Sequence, residues 1–348
     1  MVRIGVVFEK GEVGNEDLKR ITSLLGRLNV GYRLYSETNV TSKNGYIIFE
    51  DLDVDYMIII GGDKIVLKTL LGISSEEIPI INLYGRKSRG FFAFASIDSF
   101  SDVIMEIVRG NYDVEERDRL VAKINGLELP PALNELAIFS RESGSLISYT
   151  LHINDEMIWK DASDGIIVAT PTGSTAHALS AGGPIVKDAD VFVIVSVNTL
   201  VPTHKPIVTS SNNIICINDL SKNENIIVVD GQVRKIIDSD TITVHKSSYK
   251  AKFISINTDK IPDLDVKLSK RILSKKPVQV IESLPPSAKL VYKILEYEGP
   301  LNRREIISKS GLPSRTADYA LSVLLREGII AKRQVDKDAR MSTYTITG

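Results

Sequence analysis

Short, wholly apolar runs alternate with stretches of helical periodicity over residues 1–110, and no other feature constrains the fold as strongly. The apolar runs are Val2–Phe8, Tyr32–Tyr35, Tyr46–Phe49, Tyr56–Ile60 and Pro79–Leu83. The helical stretches are Asn15–Leu28 and Lys64–Leu71. A strand without a polar face must be covered on both sides, and helices between consecutive strands provide that cover. The alternation therefore predicts an open α/β domain with a parallel sheet over residues 1–112.

From residue 113 the pattern changes to closely spaced strand-like segments with turn residues between them. Asn125–Gly126 is a strong two-residue hairpin signal, and one short helix near Ser174–Ser180 interrupts the strands. Residues 113–275 are therefore predicted to form an all-β domain.

Residues 285–348 have a third pattern. Three amphipathic stretches, 287–298, 303–310 and 314–327, precede two β-like segments at 329–333 and 342–346. Asn302 and Ser314 suit helix N-caps. From Leu284 onward the chain contains eleven Lys and Arg and seven Asp and Glu, although the whole chain has a net charge of -1. We therefore predict a basic winged helix-turn-helix domain appended to a mildly acidic body.

The composition is that of a globular protein from a reducing compartment. The chain is 43% hydrophobic and 25% charged, and its single cysteine, Cys216, cannot form an intrachain disulfide. No apolar run reaches the roughly 18 residues of a membrane-spanning helix, and Glu9 interrupts the N-terminal run too early for a signal peptide. We expect a cytoplasmic protein without a membrane partner.

A glycine turn, Gly61–Gly62–Asp63, joins a buried strand to the helical stretch that begins at Lys64. Backbone N–H groups at such a turn bind phosphate together with the positive end of the helix dipole. The chain contains neither the P-loop nor the usual dinucleotide fingerprint. Taken alone, the turn is as consistent with a structural role as with a phosphate site.

The segment Asp164–Val186 contains a second dense turn. A strand ends at Thr170–Pro171, and five Ser and Thr residues between 170 and 180 offer hydroxyl groups to ribose and phosphate oxygens. A capped helix with a polar loop explains the same spacing equally well.

Three motifs, in this order, resemble the NAD kinase family: Gly61–Gly62–Asp63, Asn134–Glu135 and Thr170–Ile185 (TPTGSTAHALSAGGPI). Weaker similarities are Ile81–Asn82 with Gly90–Phe91, Lys205–Val208 and Asp230–Gln232. The resemblance covers residues 1–275. It implies an α/β domain followed by an all-β domain, and transfer of a terminal phosphoryl group to the 2′-hydroxyl of the NAD adenosine ribose, which gives NADP. The donor is ATP, another nucleotide or polyphosphate.

The resemblance also implies roles for individual residues. Asp63 would be catalytic by orienting or deprotonating the ribose hydroxyl, and Gly61, Gly62 and Lys64 would bind phosphates. The implied NAD-binding residues are Asn134, Glu135, Asp164, Thr172, Ser174, Thr175, Ala176 and His177. The chemistry implies Mg²⁺, or another divalent metal, that arrives with the donor phosphates rather than on a protein ligand cluster. A structural role for Asp63 and a solvated Glu135 remain open.

Two residues depart from the family pattern. Lys64 replaces a glycine, and it either adds a cation to the triphosphate site or crowds the approach of the donor. His177 replaces a tyrosine and keeps a ring for stacking. The alternative to an active kinase is therefore a kinase-inactive, NAD(P)-sensing transcriptional regulator.

The predicted winged helix suggests duplex DNA as a partner. Arg315 would begin the recognition helix, and Lys332, Arg333 and Arg340 would lie on the wing near phosphates. A protein-docking or dimerisation module is the alternative. The family resemblance implies a homodimer or homotetramer.

Overall fold

The computed structural model describes residues 2–9, 11–36, 41–43, 46–49, 52–73, 77–86, 90–142, 144–221, 224–256, 284–298, 301–327, 329–334 and 342–346. The chain divides into two compact units, Met1–Ile261 and Pro262–Gly348. Within the described ranges, no helix is both long and apolar enough to cross a membrane.

The first unit begins with the expected alternation of strands and helices. In chain order these are β1 (Arg3–Phe8), α1 (Asn15–Arg27), β2 (Gly31–Ser36), β3 (Thr41–Lys43), β4 (Tyr46–Ile48), β5 (Tyr56–Ile60), α2 (Asp63–Gly72), β6 (Ile80–Tyr84), β7 (Ala93–Ser96), α3 (Phe100–Arg109) and β8 (Asp113–Arg117). Ile58 and Ile60 of β5 pack with apolar residues of α1 and α3, whereas Met57 and Ile59 pack with α2 on the other face. Cover on both faces explains why residues 57–60 of β5 are all apolar.

The remainder of the first unit is mostly strand. Its elements are β9 (Leu120–Ile124), β10 (Leu127–Glu128), β11 (Glu135–Ser140), β12 (Ile147–Ile153), β13 (Glu156–Ser163), β14 (Gly165–Ala169), a 3₁₀ turn (Gly173–Thr175), α4 (His177–Ser180), β15 (Val191–Val197), β16 (Ile207–Ser210), β17 (Ile215–Asn218), β18 (Asn225–Val229), β19 (Val233–Ile237), β20 (Ile242–Lys246) and β21 (Ala251–Ser255). Two six-stranded sheets, β10-β9-β20-β17-β12-β13 and β16-β15-β14-β11-β18-β19, share one apolar core. This is a β-sandwich.

The sheet that contains β1 and β5 also includes strands from outside the predicted α/β domain. Its order is β2-β1-β5-β6-β21-β8, with β7 beside β6. Both β8 and β21 lie in the range 113–275 that the sequence assigns to the all-β domain, so that boundary is corrected. Strand β8, with the sequence DVEER, is an exposed edge strand whose polar residues do not reveal its partner. The chain therefore crosses from the sheet to the sandwich after β8 and returns at β21.

The order of the strands identifies the edge where a ligand is expected. Strand β1 pairs in parallel with β2 on one side and with β5 on the other. Strands are therefore added to the sheet in opposite directions from β1, and the strand order reverses there. In open α/β sheets, ligands bind outside the carboxyl ends of the strands at such a reversal. Glu9 follows β1 at this edge, and Gly61–Asp63 follows β5.

Within its described residues, the second unit contains three helices and a three-stranded antiparallel sheet. Its elements are α5 (Pro286–Glu298), β22 (Leu301–Asn302), α6 (Arg303–Ser310), α7 (Ser314–Arg326), β23 (Ile330–Gln334) and β24 (Ser342–Ile346), and the sheet order is β22-β24-β23. Asn302 caps α6, because its side chain accepts the N–H of Glu305 at 3.0 Å. Ser314 does not cap α7 as predicted; it is the first helical residue, and Pro313 precedes it at the cap position.

Candidate active site

The glycine turn after β5 requires glycine on steric grounds. Gly61 has a φ of +153°, and a Cβ there would lie 2.7 Å from Cγ2 of Ile65. Gly62 has an extended conformation and precedes the first residue of α2. The first N–H groups of a helix have no partner within the helix. The turn therefore presents backbone donors and the positive end of the α2 dipole at the carboxyl edge of the sheet.

The Asp63 carboxylate is oriented by a neighbouring loop. The N–H of Phe92 donates to Oδ1 of Asp63 at 3.0 Å. Gly90 passes so close that a Cβ would lie 2.6 Å from the same oxygen. The weak family similarity at Gly90–Phe91 therefore reflects a loop that packs on Asp63.

Glu9 lies beside the glycine turn and was not predicted as a site residue. Its Oε2 is 3.2 Å from the position that a Gly61 Cβ would occupy. The parallel pairing expected for β1 and β5 is the signal that would have found it, because residues after parallel strands meet at one edge. Lys64, one residue into α2, is exposed.

The Asn134–Glu135 segment is held by a buried carboxylate. Asp230 accepts the N–H groups of Leu133, Asn134 and Glu135 at 2.8, 2.7 and 3.1 Å. Burial raises the pKa of Asp230 to about 6, while these three donors and the charge of Arg119 act in the opposite direction. The weak similarity at Asp230–Gln232 thus corresponds to a contact that shapes the backbone of the Asn134–Glu135 motif.

The dense turn after β14 packs directly on Asn134. A Cβ on Gly173 would lie 1.9 Å from the Asn134 carbonyl oxygen, so only glycine fits. The Thr170 hydroxyl donates to the Leu133 carbonyl at 2.5 Å and accepts the N–H of Gly173 at 3.1 Å. Two motifs that are separated in sequence therefore form one continuous surface.

Some hydroxyl groups of this turn have partners inside the protein. The Ser174 hydroxyl donates to the Pro171 carbonyl at 2.7 Å and accepts the N–H of Val186 at 3.0 Å, and its side chain is fully buried. The Thr175 hydroxyl donates to the Thr172 carbonyl at 3.1 Å. The expectation that Ser174 offers its hydroxyl to NAD is therefore corrected: the group shapes the turn.

A cavity of about 370 Å³ opens beside the turn. It is lined by Glu135, Ala137, Phe139, His177, Ile226, Val228, Gly231 and Arg234. The rings of His177 and Phe139 stack with a centroid distance of 5.8 Å and an interplanar angle of 28°. Arg234 was not predicted, but its pairing with Val228 across the β18–β19 hairpin places both on the cavity face. Thr172 and Ala176, at the turn itself, are half-buried.

Asp164 lies at the opposite end of β14 from the dense turn. It precedes β14, whereas Thr170 follows it, and six residue steps of extended chain span about 20 Å. The side chain of Asp164 accepts the Asn198 amide at 2.7 Å. Phe139 pairs with Gly165 at this end of the strand, so Asp164 neighbours the far end of the cavity.

The described part of the chain contains no cluster of three or more His, Cys, Asp or Glu side chains that could hold a metal ion.

Comparison with known proteins decides the family. A family model described as the ATP-NAD kinase C-terminal domain matches residues 133–256. The NAD kinase of Methanothermobacter thermautotrophicus is 32% identical over 269 residues, which cover 74% of this chain and 93% of that protein. The chain belongs to the NAD kinase family. This confirms the resemblance predicted from the three motifs, and the enzyme is an NAD⁺ kinase, a phosphotransferase.

Other members of the NAD kinase family agree. The NAD kinase of Pyrococcus furiosus is 32% identical over an aligned region that covers 66% of this chain and 83% of that protein. The crystal structure of an NAD kinase from Archaeoglobus fulgidus in complex with ATP is 29% identical, with a TM-score of 0.62, and covers 77% of this chain and 98% of that one. Yeast NADH kinase complexed with NADH is 17% identical, with a TM-score of 0.65 and coverages of 79% and 88%, and it supports the fold alone.

Proposed function

We propose that this NAD kinase transfers the terminal phosphoryl group of ATP to the 2′-hydroxyl of the NAD adenosine ribose, with Asp63 as the catalytic group. The observation that carries the proposal is the position of Asp63. It begins α2 at the reversal point of the parallel sheet, and the N–H of Phe92 orients its carboxylate. A carboxylate in that position can accept the proton of a hydroxyl that attacks a phosphate bound at the glycine turn.

The glycine turn is the proposed site of the ATP phosphates. Gly62 contributes its backbone N–H, and the α2 dipole adds positive potential. The N–H of Gly61 donates to the Leu83 carbonyl at 2.9 Å, so Gly61 would serve the site through the backbone conformation that only glycine adopts easily. The A. fulgidus NAD kinase was solved in complex with ATP, which supports ATP as the donor here. The exposed position of Lys64 favours its interpretation as an added cation rather than as an obstruction.

The cavity beside Asn134 is the proposed site of NAD. The stacked rings of His177 and Phe139 offer an aromatic surface to a base, and Arg234 offers a guanidinium to the pyrophosphate. Asn134 and Glu135 lie where the cavity meets the dense turn, and there Thr172, Thr175 and Ala176 complete the wall. Asp164 would serve only a part of the dinucleotide that reaches the far end of β14.

The carboxylates beside the glycine turn fit a divalent metal. Mg²⁺ is usually held by one or two carboxylates together with substrate phosphates, and Asp63 and Glu9 provide two such groups at this edge. When bound, the ion would neutralise charge that develops on the transferred phosphoryl group. We therefore propose Mg²⁺ as the cofactor that accompanies ATP.

One assay tests the proposal as a whole. The purified full-length chain, supplied with NAD, ATP and Mg²⁺, should form NADP, and ATP should be used in preference to polyphosphate. Binding of NAD in calorimetry without any formation of NADP would instead support the kinase-inactive regulator that the sequence left open.

We also propose that the second unit is a winged helix that binds duplex DNA. Arg315, Tyr319, Ser322 and Arg326 recur at one face of α7 and are all exposed, which suits a helix that enters a major groove. On β23, Lys332 is exposed and positioned for phosphate contact. Arg340 and the side chain of Arg333 lie outside the described residues, so their proposed contacts stay predictions.

Exposed apolar side chains on the sandwich support a homodimer or homotetramer. Leu200 and Val208 are 64% and 50% exposed, and Val201 and Ile185 are also exposed. Burial of these side chains between subunits would stabilise an assembly through the hydrophobic effect. The cytoplasmic location stays a prediction.

A further inference from the structure

Arg119, immediately before β9, is the largest side chain that the described residues bury completely, with 1% exposure. A buried guanidinium is unfavourable unless its donors find partners. Nη2 of Arg119 donates to the Leu70 carbonyl at 2.9 Å and to the Pro131 carbonyl at 2.6 Å. The side chain therefore joins two backbone segments that are about sixty residues apart in sequence.

Both segments lead to the proposed active site. Leu70 lies in the last turn of α2, and Asp63 is the first residue of the same helix. Pro131 is three residues before Asn134. The last carbonyls of a helix lack partners within it and carry partial negative charge, so a cation is favourable there. Because a helix is stiff, fixing its last turn also fixes the position of its first residue.

Asp230 extends the connection on the side of the NAD cavity. It is fully buried, and its carboxylate binds the N–H groups of the three residues from Leu133 to Glu135. Arg119 is the charged group that acts on this carboxylate. The Arg119 guanidinium thus binds the helix that carries Asp63 and the loop before Asn134. It also stabilises the negative charge of Asp230, which shapes that loop.

We propose that Arg119 is a positioning residue for phosphoryl transfer, which keeps Asp63 at a fixed distance from the NAD-binding segment at Asn134. It touches neither substrate and acts through α2 and the Pro131–Glu135 loop. The inference rests on the proposed roles of Asp63 and Asn134. It concerns a residue outside all of the motifs on which the family resemblance depends.

The kinetic test compares Arg119→Met with Arg119→Lys in the full-length enzyme. Arg119→Met removes both hydrogen bonds and should lower kcat by about 10²-fold, since small misplacements of reacting groups have effects of that size. The KM values for NAD and ATP should change by less than about threefold, because each half-site stays intact. Arg119→Lys keeps a charged donor but loses the fork of the guanidinium, so it should recover only about tenfold of the lost kcat and stay about tenfold below the wild type.

Leu151→Ala is the matched control. Leu151 is fully buried in the sandwich core, so its truncation lowers Tm without touching the Arg119 contacts. Its kcat per folded molecule should equal that of the wild type. A wild-type kcat in Arg119→Met, or an equal loss of kcat in Leu151→Ala, would overturn the proposal. If Arg119→Met does not fold, a wild-type kcat in Arg119→Lys overturns it.

Amide hydrogen exchange separates this inference from the roles assigned to Asp63 and Asn134. In Arg119→Lys or Arg119→Met, the N–H groups of residues 133–135 and of the last turn of α2 should exchange faster than in Leu151→Ala. Faster exchange with an unchanged kcat would show that the contact exists but does not position the chemistry. Unchanged exchange would refute the connection itself, whatever Asp63 does.

Discussion

Asp230 is a residue that serves a site without facing its substrate. Its carboxylate accepts three consecutive backbone N–H groups in a fully buried position. Burial raises its pKa to about 6, so the group is ionised at neutral pH and can act as an acceptor for all three donors. The backbone of the Asn134–Glu135 motif therefore depends on the charge of a residue almost one hundred positions later in the chain.

The raised pKa of Asp230 predicts a pH dependence of stability. Its ordinary value is 3.8, so between about pH 4 and pH 6 the folded protein retains a proton that the unfolded chain has released. Its contribution to the free energy of unfolding is therefore full below about pH 4, and it decreases by about 3 kcal/mol as the pH rises past 6. In Asp230→Asn this dependence should vanish.

Urea unfolding from pH 4 to pH 8 measures this effect. The free energy of unfolding of the wild type minus that of Asp230→Asn should decrease between pH 4 and 6 and be level above about pH 7. A difference that increases with pH would mean that the bonds to the ionised carboxylate outweigh its burial.

Lys64 is the residue whose contribution to catalysis the family pattern leaves open. As an exposed cation in the first turn of α2, it should strengthen binding of the ATP phosphates. Lys64→Ala should raise the KM for ATP by about two- to fivefold, with the KM for NAD unchanged. The control is Lys19→Ala, an exposed lysine of α1. A higher kcat in Lys64→Ala would mean that the lysine obstructs the donor.

At the scale of elements, the loop before β7 controls the start of α2. Gly90 lies against Asp63, and a methyl group there would approach Oδ1 to 2.6 Å. Gly90→Ala should therefore displace the carboxylate and lower kcat at least about tenfold. Gly26→Ala is the matched control, because a Cβ at that position in α1 meets nothing within 4 Å.

Steady-state kinetics and thermal unfolding distinguish the two glycine variants. Gly26→Ala should keep the wild-type kcat and gain about 0.5–1 kcal/mol of stability, as expected for alanine in a helix. A Gly90→Ala enzyme with wild-type kcat would show that the loop does not constrain Asp63.

The sequence allowed the elements that carry motifs to be predicted, but not the contacts between them. Gly61–Asp63, Asn134–Glu135 and the dense turn were predicted as site segments because, in this order, they resemble the motifs of the NAD kinase family. Arg119 and Asp230 act on backbone groups distant in sequence, and a contact of that kind has no local periodicity. Residues 113–117 were included in the all-β domain for the same reason, since the polar sequence of an exposed edge strand does not identify its partner.

At the scale of the whole molecule, an NAD kinase body of residues 1–261 and a separate C-terminal unit share one chain. Arg303 on α6 pairs with Asp318 on α7 through two bonds of 2.6 and 2.7 Å. The pair is exposed and contributes little by itself; apolar residues of both helices pack in one core, which sets the position of α7 within the proposed helix-turn-helix.

Arg315→Ala tests whether this face binds duplex DNA. It should weaken DNA binding and reduce the slope of log affinity against log salt by about 1, since one phosphate or base contact is lost. The formation of NADP should be unchanged. Arg27→Ala, which removes an exposed arginine from α1, is the control. Full-length protein without salt-sensitive DNA binding would favour the protein-docking alternative.

The central claim is that Asp63 acts on the ribose hydroxyl of NAD from the start of α2. The most direct measurement is kcat for NADP formation by Asp63→Asn, together with calorimetric NAD affinity, with the exposed Asp155→Asn as control. We predict that kcat falls by about 10²–10⁴-fold while NAD affinity stays within about twofold of the wild type. An Asp63→Asn enzyme that retains more than about half of the wild-type kcat would contradict the account and leave Asp63 with a structural role.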